Sequence, residues 1–422
     1  MKADILIRAG QVVSAVDKKS PLKGEGQAKV MVLEDAYVAI KDGRVLAIGR
    51  GDGREYCDSN TEIHDASGKA LIPGLVDPHT HLVFAGWRAE EFALRLSGAS
   101  YMDILAQGGG ILDTVRRTRE ASEEDLLLGT LNRMDEILLT GTTTVEIKSG
   151  YGLDRETELK MLRVAKEAGR RHCLDIKTTF LGAHAVPVEF RGKQKEYLEY
   201  LMTEVLPLVA EQELADFADI FCEQGVFTAK ESEELLGKAK EYGLKARLHA
   251  DELVASGGAE VAAELRALSA DHLLFASPEG VRAMAKANVI GTLLPGTSFF
   301  LKKRGYESPR RFIEAGVPLA LGSDYNPGTC PTGNMLFVMA LGVLQYDLLP
   351  EEALIAATLN AAYSLDVASE VGSLDTGKQA DLVILKAPDY RHIFYRAGSQ
   401  LVDSVYKKGI LKVKNGQIVN HN

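Results

Sequence analysis

At 422 residues and 46% apolar composition, the chain is long enough to bury a barrel-sized core with a smaller domain beside it. Its 49 Lys and Arg against 59 Asp and Glu give a net charge of −10, which argues against nucleic acid or any other polyanion as a partner. Four scattered cysteines, Cys57, Cys173, Cys222 and Cys330, and the absence of any charge-free run long enough to span a bilayer point to a reduced, cytoplasmic protein with no membrane contact.

Residues 2–70 hold short period-two runs, Ile5–Ile7, Gln11–Val13, Val30–Leu33, Tyr37–Ile40 and Val45–Ile48, broken by Gly and Asp. They predict a small antiparallel sheet. The tail repeats the pattern in Asp381–Leu385, Leu401–Tyr406, Leu411–Val413 and, past an Asn415-Gly416 turn, Gln417–Val419. Neither end can close a core alone, so the two are expected to pair into one composite β-sandwich, residues 1–70 with 366–422. Between them, residues 71–365 alternate apolar strand candidates with helical patterns. The strand candidates are Leu71–Val76, Thr142–Ile147, Ile176–Leu181, Ala218–Cys222, Ala246–His249, Leu268–His272, Val289–Leu294 and Leu319–Gly322. Helices are predicted between them, such as Glu123–Thr140 behind a capping Ser122 and Tyr197–Val205. Eight such units predict an α/β protein, a (β/α)8 TIM-like barrel carrying the small β-sandwich, with functional groups at the carboxyl ends of its strands.

Polar groups gather at those ends. In His79-Thr80-His81 after the first strand, residues i and i+2 of extended chain project to one side, so both imidazoles can face one ion. His249 ends the fifth strand and Asp324 follows the eighth. Three neutral imidazoles and one carboxylate suit a single zinc or iron ion, with room for a water whose pKa would fall toward about 7. No lysine stands at the end of strand three or four to bridge a second ion, and Lys148 beside Glu146 reads as half of an internal ion pair, so one metal is expected.

The Leu71–His81 stretch, Ala250-Asp251-Glu252 after His249, and Gly322–Asn326 resemble the amidohydrolase superfamily, and within it the branch that opens the imidazolone ring in histidine breakdown. The resemblance covers essentially the whole chain. It implies hydrolysis of 4-imidazolone-5-propanoate to N-formimidoyl-L-glutamate, by attack of a metal-activated water on the ring carbonyl carbon, in a homodimer. It also implies roles: Asp324 accepts the water's proton, His272 orients that water or steadies the oxyanion, and Glu252 holds a ring nitrogen. Support of the metal ligands alone is the competing role for His272 and Glu252. Arg88, Tyr151, His184, Asn326, Gly328 and Thr329 match the branch's substrate-binding positions, with Arg88 a natural fork for the propanoate carboxylate.

A nucleobase-type deaminase shares the histidines, Glu252 and Asp324 but has little use for an acid-binding set around Arg88. A barrel kept only as a scaffold would have lost ligands, and none is missing. The run Gln107-Gly108-Gly109-Gly110-Ile111 lacks the preceding strand and following Lys-Ser/Thr of a phosphate loop; residues 97–111 are instead expected to cover the mouth as a mobile lid.

Overall fold

The computed structural model describes residues 1–98 and 109–419, so the core of the proposed lid lies outside the described residues. The terminal sheet takes β1 (Ile5–Ala15), β2 (Val30–Lys41), β3 (Arg44–Arg50) and β4 (Glu62–Pro73) from the first part of the chain. The barrel takes β5 (Leu75–Asp77), β6 (Thr142–Lys148), β7 (Asp175–Ala183), β8 (Phe217–Cys222), β9 (Lys245–Ala250), β10 (Ser269–His272), β11 (Ile290–Leu293) and β12 (Leu319–Leu321). The tail returns β13 (Leu382–Leu385), β14 (Val402–Lys407), β15 (Ile410–Lys414) and β16 (Gln417–Ile418) to the terminal sheet.

That sheet runs β16-β15-β14-β13-β4-β1-β2-β3, and β4 joins its two halves by pairing with β13 on one side and β1 on the other. It is mixed rather than antiparallel, because β1 and β4 run parallel. The short runs read from the sequence merge: Ile5–Ile7 and Gln11–Val13 lie in one strand, as do Val30–Leu33 and Tyr37–Ile40. Ile7, Val38, Ile40, Leu71, Leu382, Ile384 and Tyr406 share one apolar core between the halves, which makes the unit a β-sandwich.

The barrel sheet is all parallel, in the order β5 to β12. Its strands are largely buried on both faces, β8 and β12 as mostly apolar runs and β6 with three threonines and an internal Glu146–Lys148 pair. The first expected strand, Leu71–Val76, divides at Gly74: Leu71–Pro73 belongs to the sandwich and Leu75–Asp77 to the barrel. Beyond β5 the chain stays extended and closes the ring, with Thr80 bridging Tyr325 and backbone bonds from Lys148 N to Thr80 O, Asp324 N to His79 O and His81 N to Tyr325 O, each 2.9 Å. The helix at Glu123–Leu139 starts as the sequence predicts, with Ser122 Oγ accepting the Asp125 N–H. The expected Tyr197–Val205 helix is the middle of a longer one, Gln194–Tyr200 and Leu206–Glu211 joined by a π-turn at Leu201–Val205.

Candidate metal centre

The segment that closes the barrel also carries the first two histidines. Because its backbone is hydrogen-bonded to Lys148 on one side and to Asp324 and Tyr325 on the other, His79 and His81 are fixed against strands β6 and β12. Below them, Asp77 accepts from the Ser323 hydroxyl and N–H, binding the end of β5 to the end of β12; burial pushes its carboxyl up to about 7. His249, in β9, completes the group. One nitrogen of each of the three buried rings lies within 4.8 Å of the others, the one such cluster among the described residues.

Second contacts fix two of the rings. Asp271 Oδ2 accepts from His79 Nδ1 at 2.7 Å, and Asp219 Oδ2 from His249 Nδ1 at 2.9 Å, which leaves each Nε2 as a bare acceptor. Those two Nε2 atoms, with Nδ1 of His81, are buried and have no hydrogen-bond partner. Unpaired buried nitrogens each cost about 1–3 kcal/mol, so the bare Nε2 atoms of His79 and His249 within the three-histidine cluster point to a ligand that pairs them. Asp324 turns its Oδ1 to the same point, 3.6 Å from His79 Nε2 and 3.3 Å from His81 Nε2, while Oδ2 accepts from the Thr297 hydroxyl. Burial alone would raise its pKa, but the surrounding imidazoles hold it well below the carboxylate range. Burial also keeps His79 and His81 below the ordinary histidine value, hence neutral and able to donate lone pairs. The set fits one divalent cation.

Backbone conformation contributes. Asp251, His272, Leu273 and Asp324 all have φ between 52° and 74°, immediately past or at the ends of β9, β10 and β12. Left-handed backbone is costly for such residues, about 1–2 kcal/mol each. Of these, Asp251 accepts from the Ser256, Gly258 and Ala259 N–H groups and Leu273 packs in the core, while His272 and Asp324 turn to the mouth. There His272 Nε2 lies 3.7 Å from Glu252 Oε2. His184 stacks on His81 with centroids 5.0 Å apart and bonds the Gly150 carbonyl, and Tyr151 lies 5.6 Å from His81 and 5.4 Å from His184.

A model of the amidohydrolase family matches residues 70–412. Imidazolonepropionase of Streptococcus sanguinis is 50% identical over 99% of this chain and 100% of its own length. The chain belongs to the imidazolonepropionase family of amidohydrolases. That of Alkaliphilus metalliredigens is 46% identical over the same shares. Among solved structures, an adenosine deaminase of Xanthomonas campestris with bound zinc superposes with a TM-score of 0.71 at 20% identity, covering 100% of this chain and 95% of that one. Guanine deaminase of E. coli gives 0.71 at 16%, covering 97% and 99%. These two share the fold.

The positions expected to bind substrate in an imidazolonepropionase lie on loops around the cluster. Arg88 is paired with Glu91 through Nε and Nη2, at 2.8 and 2.6 Å. Asn326 shapes its own loop, its Oδ1 accepting from the N–H groups of Gly328 and Thr329 and its Nδ2 donating to Asp324 O. Gly328 packs so closely on Arg88 that a Cβ there would meet Nη1 at 2.2 Å. Sequence reasoning passed over Asp219 and Asp271, the carboxylates that orient His249 and His79, and Thr297 beside Asp324. A signal existed for Asp219: it is a lone charge inside an apolar parallel strand, where an unpaired carboxylate is not tolerated.

Proposed function

We propose that the protein hydrolyses the ring carbonyl–nitrogen bond of 4-imidazolone-5-propanoate, giving N-formimidoyl-L-glutamate. The observation that carries the reading is the full-length 50% identity to an imidazolonepropionase, joined to a buried cluster of three histidines with Asp324 turned to two of them. His79, His81, His249 and Asp324 would hold zinc or iron, both of which imidazole and carboxylate serve. When bound, such an ion supplies Lewis-acid chemistry, polarising a carbonyl and acidifying water.

The residues divide the remaining work. Asp324 takes a proton from the attacking water and returns it to the ring nitrogen as the C–N bond breaks with its electron pair going to nitrogen. His272 steadies charge on the carbonyl oxygen and Glu252 holds a ring nitrogen. Arg88, with Tyr151 and the Asn326–Thr329 loop beside it, grips the propanoate tail, and His184 lines the ring's approach. That acid-binding set weighs against a deaminase for a neutral base.

Two measurements test this. Incubation with imidazolone propanoate should yield formimidoylglutamate; ammonia in its place would sink the reading. His249→Ala should lose the metal and turnover, by about 10⁴-fold or more, while keeping the wild-type circular dichroism. Full turnover by a metal-free variant would exclude the metal-assisted scheme.

A further inference from the structure

Helix α1 (Ala89–Leu96) follows Arg88 and places Arg88, Glu91 and Arg95 at i, i+3 and i+7, on one face. That face meets the loop after Asp324. Arg95 Nη2 donates to the Gly328 carbonyl at 2.9 Å, while the Arg88 guanidinium lies against the Gly328 Cα. Glu91, its side chain only 10% exposed, accepts from both Nε and Nη2 of Arg88 and, through Oε2, from the Gly110 N–H at 2.9 Å.

A guanidinium has five N–H donors and two edges able to take a carboxylate. Glu91 occupies the Nε/Nη2 edge. The Nη1/Nη2 edge has no acceptor among the described residues, although the Arg88 side chain is only 11% exposed. A mostly buried cation with one edge paired and the other without an acceptor among the described residues is prepared for a second anion. Its distance from the reacting centre is also fixed: hydrogen bonds run from the Asp324 carbonyl to Asn326, from Asn326 to Gly328, and from Gly328 to Arg95 on the same helix.

We propose that Glu91 and Arg95 are positioning residues for anion recognition: Glu91 holds one edge of Arg88 so that the other faces a ligand carboxylate, and Arg95 sets the separation between that fork and Asp324. Glu91 does not compete with the ligand, because the two anions take different edges. The charges agree, since Arg88 and Arg95 against Glu91 leave one net positive charge for the incoming carboxylate. The inference rests on Arg88 as the group that binds the substrate's tail.

Calorimetric binding of 3-(imidazol-4-yl)propanoate and of its neutral propanamide tests it without requiring turnover. The metal-loaded wild type should prefer the propanoate by about tenfold or more. Glu91→Gln should weaken the propanoate about tenfold and leave the amide unchanged, with metal content and circular dichroism as in wild type. Glu91→Asp keeps the charge one methylene short and should fall between, and Arg95→Met should also weaken the propanoate selectively. A preference retained in full by Glu91→Gln and Arg95→Met, or equal weakening of both ligands, overturns the positioning role. No preference in the wild type would instead overturn the reading of Arg88, and with it the proposed substrate.

Discussion

Lys148 shows how much of the centre is held by groups that never reach the mouth. Its ammonium is fully buried, 2.8 Å from Glu146 Oε1, 2.9 Å from Asp219 Oδ2 and 3.7 Å from Asp271 Oδ2. Asp219 and Asp271 are the carboxylates that orient His249 and His79, and Arg247 shares Asp271 at 3.3 Å. Three buried carboxylates thus share two buried cations. Removing one cation leaves an uncompensated charge, so Lys148→Met should cost about 3–5 kcal/mol in urea unfolding. A loss under about 1 kcal/mol would show that Lys148 is not a clamp. The sequence showed Lys148 beside Glu146, because i and i+2 share a strand face. It could not show Asp219 and Asp271 around the same ammonium, because those contacts join β6 to β8 and β10. His79 and His81 were legible as a pair for the opposite reason: their spacing is local. Arg88 was legible as a fork for a carboxylate, but its bond to Glu91 was not, since that needs a helix start that the sequence marks weakly, with no cap side chain.

At the scale of elements, the eight barrel strands were visible because short segments with apolar or β-branched residues alternate with helical patterns along the chain. The break at Gly74 was not, because Leu71–Val76 is buried throughout and only its hydrogen-bonding partner changes. Glycine is required there, as a Cβ would meet Thr143 Oγ1 at 2.3 Å. A second junction ties β7 to β14: Asp175 accepts from Lys407 Nζ at 2.8 Å and Lys408 Nζ at 2.7 Å. Burial works to raise the Asp175 pKa, and the two ammoniums override it to a net lowering. Asp381, more deeply buried, is pushed up although it shares Lys407. A depressed folded pKa gives Asp175 a stabilising contribution that is complete above the unfolded carboxylate value of about 4 and lost as pH falls through the folded value below it. Asp175→Asn should therefore be less stable than wild type by about 1 kcal/mol at neutral pH, discounted for partial exposure. That difference should shrink below about pH 4. A stability difference constant from pH 7 to pH 3 would assign the loss to packing instead.

For the whole molecule, these junctions mean that sandwich and barrel share chain, charge and core. β4 runs into β5 across a single glycine, Asp381 O accepts from Gly74 N at 2.8 Å, and Ala70, Ile72, Val383 and Leu385 pack in the same cluster as barrel residues Leu75, Val145 and Ile147. Neither unit can unfold without exposing the other's apolar face, so calorimetry should record one transition rather than two. Metal binding then stabilises everything at once, since the four candidate ligands come from the ends of β5, β9 and β12 and meet only in the folded barrel. With free ion about 1,000 times its Kd, the shift should approach 4 kcal/mol, and a chelator should reverse it with the far-ultraviolet spectrum unchanged before melting. Two resolved transitions, only one moving with metal, would mean that the sandwich melts independently and that the Gly74 and Lys407 junctions contribute little.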